Sequence, residues 1–179
     1  MSSTAAGVVL AAGAGTRFGM PKVLAAQGDW LTSAITALHH GGCADVVVVL
    51  GAAILDVPAP ARFVIATDWS DGLSASLRAG LSAVAADYAV LHTVDTPDVG
   101  AAVVSRVLAA ARSSTSGLAR AVYGDAPGHP VVVANRHWAE LLGGLHGDQG
   151  ARAFLSARSD VVEVDCGDLA TGRDIDTPQ

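Results

Sequence analysis

Residues 8–24, VVLAAGAGTRFGMPKVL, constrain this chain more than any other stretch, because an apolar run passes directly into a glycine-rich turn carrying two cations. Val8, Val9 and Leu10 read as a strand buried on both faces, the habit of central strands in a parallel sheet that helices cover on both sides. Gly13 and Gly15 lack Cβ atoms, so the turn is expected to take positive φ there and to bring backbone N–H groups close to an anion. Arg17 can grip two phosphate oxygens as a fork, and Lys22 can act as a point charge on a triphosphate. The stretch reads as a nucleotide phosphate cradle with Arg17 and Lys22 as catalytic cations. The alternative for these residues alone is an ordinary strand-to-helix turn with solvated side chains.

Two other glycine loops fit less well. A dinucleotide fingerprint needs G-x-G-x-x-G and an acid at the end of the next strand, whereas Gly13, Gly15 and Gly19 are spaced one residue too far and that strand ends in Leu50-Gly51. A Walker loop needs Lys followed by Ser or Thr at a helix start, and here Pro21 precedes Lys22 and disfavours helical geometry at Met20.

The pattern beyond the cradle alternates strands with helices. Leu31, Ile35 and Leu38 recur at helical spacing from Trp30 until Gly41-Gly42; DVVVVL at 45–50 is a second buried strand; residues 62–66 are a third. Leu73, Leu77, Leu81 and Val84 mark a second helix, 88–94 a fourth strand, and Val103, Val104, Val107 and Leu108 a third helix. Residues 117–123 and 129–134 read as strands around a GDAPG turn, Trp138, Leu141 and Leu142 as a helix, GDQGAR as the opening of another, and 161–164 as the last strand. This order predicts an α/β, three-layer sandwich with a mostly parallel, Rossmann-like sheet. With 179 residues, 51% of them hydrophobic, the expectation is a single domain over 1–179.

Composition narrows the partners. A net charge of −6 without a dense basic cluster argues against nucleic acid, and no apolar stretch approaches the roughly 20 residues of a membrane span. The start MSSTAAG lacks the basic residues of a secretory signal, so a cytoplasmic location is expected. Cys43 and Cys166 have no C-x-x-C spacing and read as buried thiols.

Ligands of open α/β sheets sit beyond the carboxyl ends of the strands. The loop TDWSDG should therefore face the cradle, placing Gly72, Ser74 and Ser76 at a helix N-terminus suited to an anion or a base edge; capping alone is the alternative. Asp95, at the tip of the fourth strand, is placed to hold Mg2+ bridging phosphates, while Asp98 suits the cap of the next helix. Asp174 and Asp176 fall on one side of an extended backbone, so either could complete the metal site; Mg2+ is the expected ion, with Mn2+ as the alternative. Arg152 could reach a phosphate or pair with Asp148.

LAAGAGTRFGMPKVL resembles the L-A-A-G-x-G-x-R…P-K signature of the nucleotidyltransferases that include molybdenum cofactor cytidylyltransferase, molybdopterin guanylyltransferase and the sugar-nucleotide pyrophosphorylases. DWSDGLSASLRAGL, VDTPDV, GHPVVV, GDQGAR and DIDTP then follow in the order of the molybdenum cofactor cytidylyltransferase-like branch, so the resemblance spans nearly the whole chain. It implies nucleotide binding by Leu10, Ala11, Ala12, Gly13, Gly15, Thr16, Arg17 and Lys22, with Gly72, Ser74 and Ser76 assisting, and acceptor binding by His129. It also implies a molybdopterin-type phosphorylated acceptor. The expected reaction joins a nucleoside monophosphate to that phosphate and releases pyrophosphate, with no protein nucleophile. CTP is the preferred donor, because Leu10-Ala11-Ala12-Gly13 carries a methyl where guanylyltransferases have glycine, which favours a one-ring base. Uridylyltransferases share those four residues, so UTP stays open as donor. A sugar-phosphate nucleotidyltransferase and a non-catalytic nucleotide-binding regulator are the alternatives.

Overall fold

The computed structural model describes residues 2–177. Its centre is a seven-stranded sheet in the order β3-β2-β1-β4-β6-β5-β7. β1 (Ala5–Leu10) lies between β2 (Asp45–Leu50) and β4 (Tyr88–Thr93), parallel to both, and β3 (Arg62–Ile65) extends the parallel set to one edge. Val8, Val9 and the whole run Val46 to Leu50 are buried, as the unbroken apolar sequence requires of strands covered on both faces.

Side chains alternate along each strand between two cores. On one face Val9, Val48 and Val90 meet α1 (Asp29–His40) and α3 (Ala101–Ser113) through Leu31, Ile35, Leu38, Val103 and Val107. On the other, Val8, Val47 and Leu91 meet α2 (Leu73–Ser82), α4 (Trp138–Gly143) and α5 (Ala151–Ser156) through Leu77, Leu81, Leu141 and Leu155. The result is the three-layer α/β arrangement read from the sequence.

Three details differ from the sequence reading. The turn between β5 (Leu118–Tyr123) and β6 (Ala126–Ala134) is tighter than GDAPG: Tyr123 pairs with Ala126, leaving Gly124 and Asp125 as the loop. β6 accommodates Pro127 and Pro130 because its ladder with β4 begins only at Val131, so neither proline is asked for an N–H on that side. The hairpin makes β6 antiparallel to β4, while β7 (Val162–Asp165) runs parallel to β5. Asp98 does not cap α3, whose N-cap is Gly100; its carboxylate instead accepts the Thr171 N–H at 2.7 Å and also takes the Thr171 hydroxyl. That pins the start of the C-terminal segment across the carboxyl ends of the strands. Among the described residues, no helix is long and apolar enough to cross a membrane.

Candidate active site

The loop after β1 is stitched to the end of β2: the Ala11 N–H donates to the Val49 carbonyl at 3.1 Å, and the Ala12 carbonyl accepts from Ala52 at 3.0 Å. It then closes on itself, with the Gly19 N–H donating to the Gly15 carbonyl at 2.8 Å. Gly15 has φ +62°, and a Cβ there would overlap the Met20 carbonyl, so a side chain is excluded by both backbone conformation and space. Gly13 departs from expectation. It is not among the residues with positive φ, and a Cβ on it would meet nothing within 4 Å. Gly13 thus leaves room on the ligand side, whereas Gly15 makes the turn possible.

A cavity of about 480 Å³ opens above this loop. Leu10, Ala11, Ala12, Gly13, Ala14 and Gly15 line one wall, Lys22, Thr93 and Asp95 lie at one end, and Trp69, Ser70, Gly72, Ser76 and Asp148 lie at the other. The two ends belong to different layers. Val23, beside Lys22, packs into the α1/α3 core, whereas Leu145 and Ala151, flanking Asp148, pack into the α2/α4/α5 core. The cavity therefore bridges the carboxyl edge of the sheet from layer to layer.

At the first end, Lys22 Nζ donates to Asp95 Oδ2 and to Asp176 Oδ1, each at 2.9 Å. Partial burial works against the ammonium, but the two carboxylates outweigh it and raise the lysine pKa. The same hydrogen bond holds Asp176 below the usual carboxylate range. The C-terminal segment reaches this point because the Ile175 N–H donates to the Asp95 carbonyl at 3.0 Å and because Gly172 packs against the Tyr123 ring. Asp174 lies within the same field: burial first, then the charges of Asp95 and Asp176, push its pKa up, with Lys22 and Arg152 opposing. Arg152 thus faces Asp174 electrostatically, and no ion pair joins it to Asp148 among the described residues.

Not every residue expected at the site is gathered there. Thr16 and Arg17 are exposed and lie outside the cavity lining, although Arg17 is close enough to help lower the Asp176 pKa. Ser76 is buried and lines the cavity, but Ser74 does not: its N–H and hydroxyl both go to the Gly147 carbonyl, at 3.0 and 2.6 Å. The Ser74 groups at the N-terminus of α2 are therefore taken by the 147–148 loop, whereas Gly72 and Ser76 face the cavity. His129 is half-buried outside the lining; its carbonyl accepts the Tyr123 hydroxyl at 2.6 Å, and burial depresses its imidazole pKa while Asp95 opposes. Among the described residues, no group of three or more His, Cys, Asp or Glu could hold a metal by itself. Asp95 and Asp176 are brought together, but on an ammonium.

Sequence reasoning assigned no place in the site to Trp69, Ser70 or Asp148, the last named only as a partner for Arg152, although all three sit in the motifs DWSDG and GDQGAR. It also passed over His92, which is 1% exposed at the end of β4 with Nδ1 unpartnered. The available signal was a histidine inside an otherwise apolar strand run.

The model of the MobA-like NTP transferase domain matches residues 7–162. A nicotine blue oxidoreductase from Paenarthrobacter nicotinovorans is 37% identical over 186 residues, covering 96% of this chain and 91% of that protein. The crystal structure of Rv0371c from Mycobacterium tuberculosis superposes with a TM-score of 0.77 at 28% identity, covering 99% of this chain and 95% of that one. The structure of the Rv0371C complex with manganese gives 0.70 at 26% identity, over 91% and 88% of the respective chains.

Proposed function

The chain belongs to the MobA-like NTP transferase family, and from that membership we propose that residues 1–179 act as one nucleotidyltransferase domain, moving CMP from CTP to the phosphate of a molybdopterin-type acceptor and releasing pyrophosphate. The observation that carries this reading is the cavity whose wall is the glycine cradle and whose end holds Lys22 between Asp95 and Asp176.

The acceptor phosphate is ionised near neutral pH and needs no general base; its oxygen attacks the α-phosphorus in line, and pyrophosphate leaves. The protein's contribution is orientation and charge. The cradle backbone fixes the triphosphate along the 11–15 wall, and Lys22, on a flexible stem, turns from its carboxylates to the phosphates. Arg17 reaches inward from the rim, and His129, near enough to Asp95 for that charge to act on its imidazole, receives the acceptor.

Asp95 and Asp176 are hard oxygen donors already converging on one cation, Lys22, and they are the residues that would hold Mg2+ or Mn2+. Such an ion would act as a Lewis acid that neutralises the leaving pyrophosphate. Of the two terminal acids, Asp176 is our choice, since it shares the ammonium with Asp95. The manganese complex of the mycobacterial relative supports a divalent ion in this fold.

A second reading comes from the relative named an oxidoreductase. Against a dinucleotide cofactor stand the spacing of Gly13, Gly15 and Gly19 and the end of β2 in Leu50-Gly51, without an acid for the ribose. Incubation with CTP, UTP, GTP or ATP and each candidate acceptor, followed by pyrophosphate detection, tests the transferase; parallel monitoring of nicotinamide absorbance tests the other. Pyrophosphate with CTP supports the first reading, and nicotinamide turnover without pyrophosphate overturns it.

A further inference from the structure

The methyl of Ala12, read as favouring a one-ring base, cannot separate cytosine from uracil, and the end of the cavity away from Lys22 supplies what it lacks. Resting on the nucleotidyltransferase reading, we infer that Asp148 is the residue that selects a pyrimidine bearing a 4-amino group. With the phosphates at the Lys22 end, the base lies toward Trp69, Gly72, Ser76 and Asp148.

Of the residues lining that end, only Asp148 is charged, and an ionised carboxylate only accepts hydrogen bonds. Its position is set by the backbone: Gly147 carbonyl takes both polar groups of Ser74, and Gly72 brings its backbone so close that a Cβ there would stand 2.5 Å from Asp148 Oδ1. No side-chain donor among the described residues occupies the Asp148 carboxylate, in contrast to Asp95, which Lys22 holds. The hydroxyls of Ser70 and Ser76 can donate or accept, so they suit either base.

Cytosine presents a 4-amino donor to such a carboxylate. Uracil presents a 4-carbonyl oxygen, which repels it, and an N3–H flanked by two carbonyls. A charge-assisted hydrogen bond at a rim open to water corresponds to about a ten-fold preference for CTP.

The test is binding of CTP, UTP and a pyrimidinone ribonucleoside triphosphate without a 4-substituent to the full-length chain, with magnesium present, by calorimetry. The wild type should bind CTP about ten-fold more tightly than the other two. Asp148→Asn, whose amide can also donate to a 4-carbonyl, should bring the CTP-to-UTP ratio close to one or below it, with the melting temperature unchanged. The inference is overturned if the variant keeps the wild-type ratio, or if the wild type binds the pyrimidinone as well as CTP, a comparison that needs no variant to fold. Failure of the wild type to bind any nucleoside triphosphate would overturn the transferase reading too, whereas tight CTP binding without 4-amino discrimination removes only the role of Asp148.

Discussion

Lys22 and Asp176 are 154 positions apart in sequence, yet the lysine ammonium stands 2.9 Å from the aspartate carboxylate and equally far from Asp95. The ion pair closes the C-terminal segment over the end of the cavity. It also gives one cation two competing sets of partners, the carboxylates seen here and the phosphates of a nucleotide.

Lys22→Ala should lower turnover by roughly 100-fold, the scale on which preorganised charge acts in transition states. The fold should survive, because the pair is partly exposed and such pairs add little stability. With the ammonium gone, manganese should raise the melting temperature of the variant more than that of the wild type. An unchanged rate together with an unchanged manganese response would make Lys22 a surface residue without a part in the reaction.

Asp95→Asn should cost at least about 100-fold in magnesium-dependent turnover, since it removes the charge that Lys22 holds here and that the proposed divalent ion would need. Lys22 keeps Asp176, so the melting curve should stay cooperative. Titrating magnesium against rate is the check; a near-normal maximum in the variant would place the metal elsewhere.

Gly172→Ala should destabilise the protein by about 1–3 kcal/mol, because φ is +61° there and the new methyl would overlap the Tyr123 ring. Chemical denaturation measures this. Since Gly172 lies just before Asp174 and Asp176, the variant should lose kcat more than affinity for the nucleotide. A variant with wild-type stability would show that this segment does not rest on Tyr123.

Acid stability should be governed in part by His92. Burial, followed by the charge of His129, pushes its pKa down to about 3, and Asp95 opposes only in part. The unfolded imidazole titrates near 6.5, so within that window the unfolded chain holds a proton that the native chain refuses. Stability therefore falls as pH is lowered from about 6.5, by up to about 1.4 kcal/mol per pH unit from this group. His129, depressed for the same reason, contributes in the same direction. Urea midpoints measured across that range should fall less steeply in His92→Leu than in the wild type; parallel slopes would remove His92 as the cause.

Much of this molecule was legible in local sequence. Val8-Val9-Leu10 and Asp45-Val-Val-Val-Val-Leu50 announce central strands because continuous apolar runs are what two-sided burial demands, and Asp95 reads as a strand-tip carboxylate because Pro97 ends the run just beyond it. The glycine turn after β1 was legible too, although its glycines divide the labour differently: Gly15 takes the positive φ and Gly13 the open space. What the sequence could not decide were contacts set by how distant segments cross. Ser74 and Asp98 carry the right chemistry for the site and the helix cap assigned to them, but Gly147 claims the first and Thr171 uses the second. Asp176 is distinguished from Asp174, and Asp148 is brought to the cavity, only once the C-terminal segment and the loop after α4 pack onto the sheet's carboxyl edge. Periodicity along a chain reports which face of an element is buried; which donor meets which acceptor depends on three-dimensional juxtaposition, and that is fixed by tertiary packing alone.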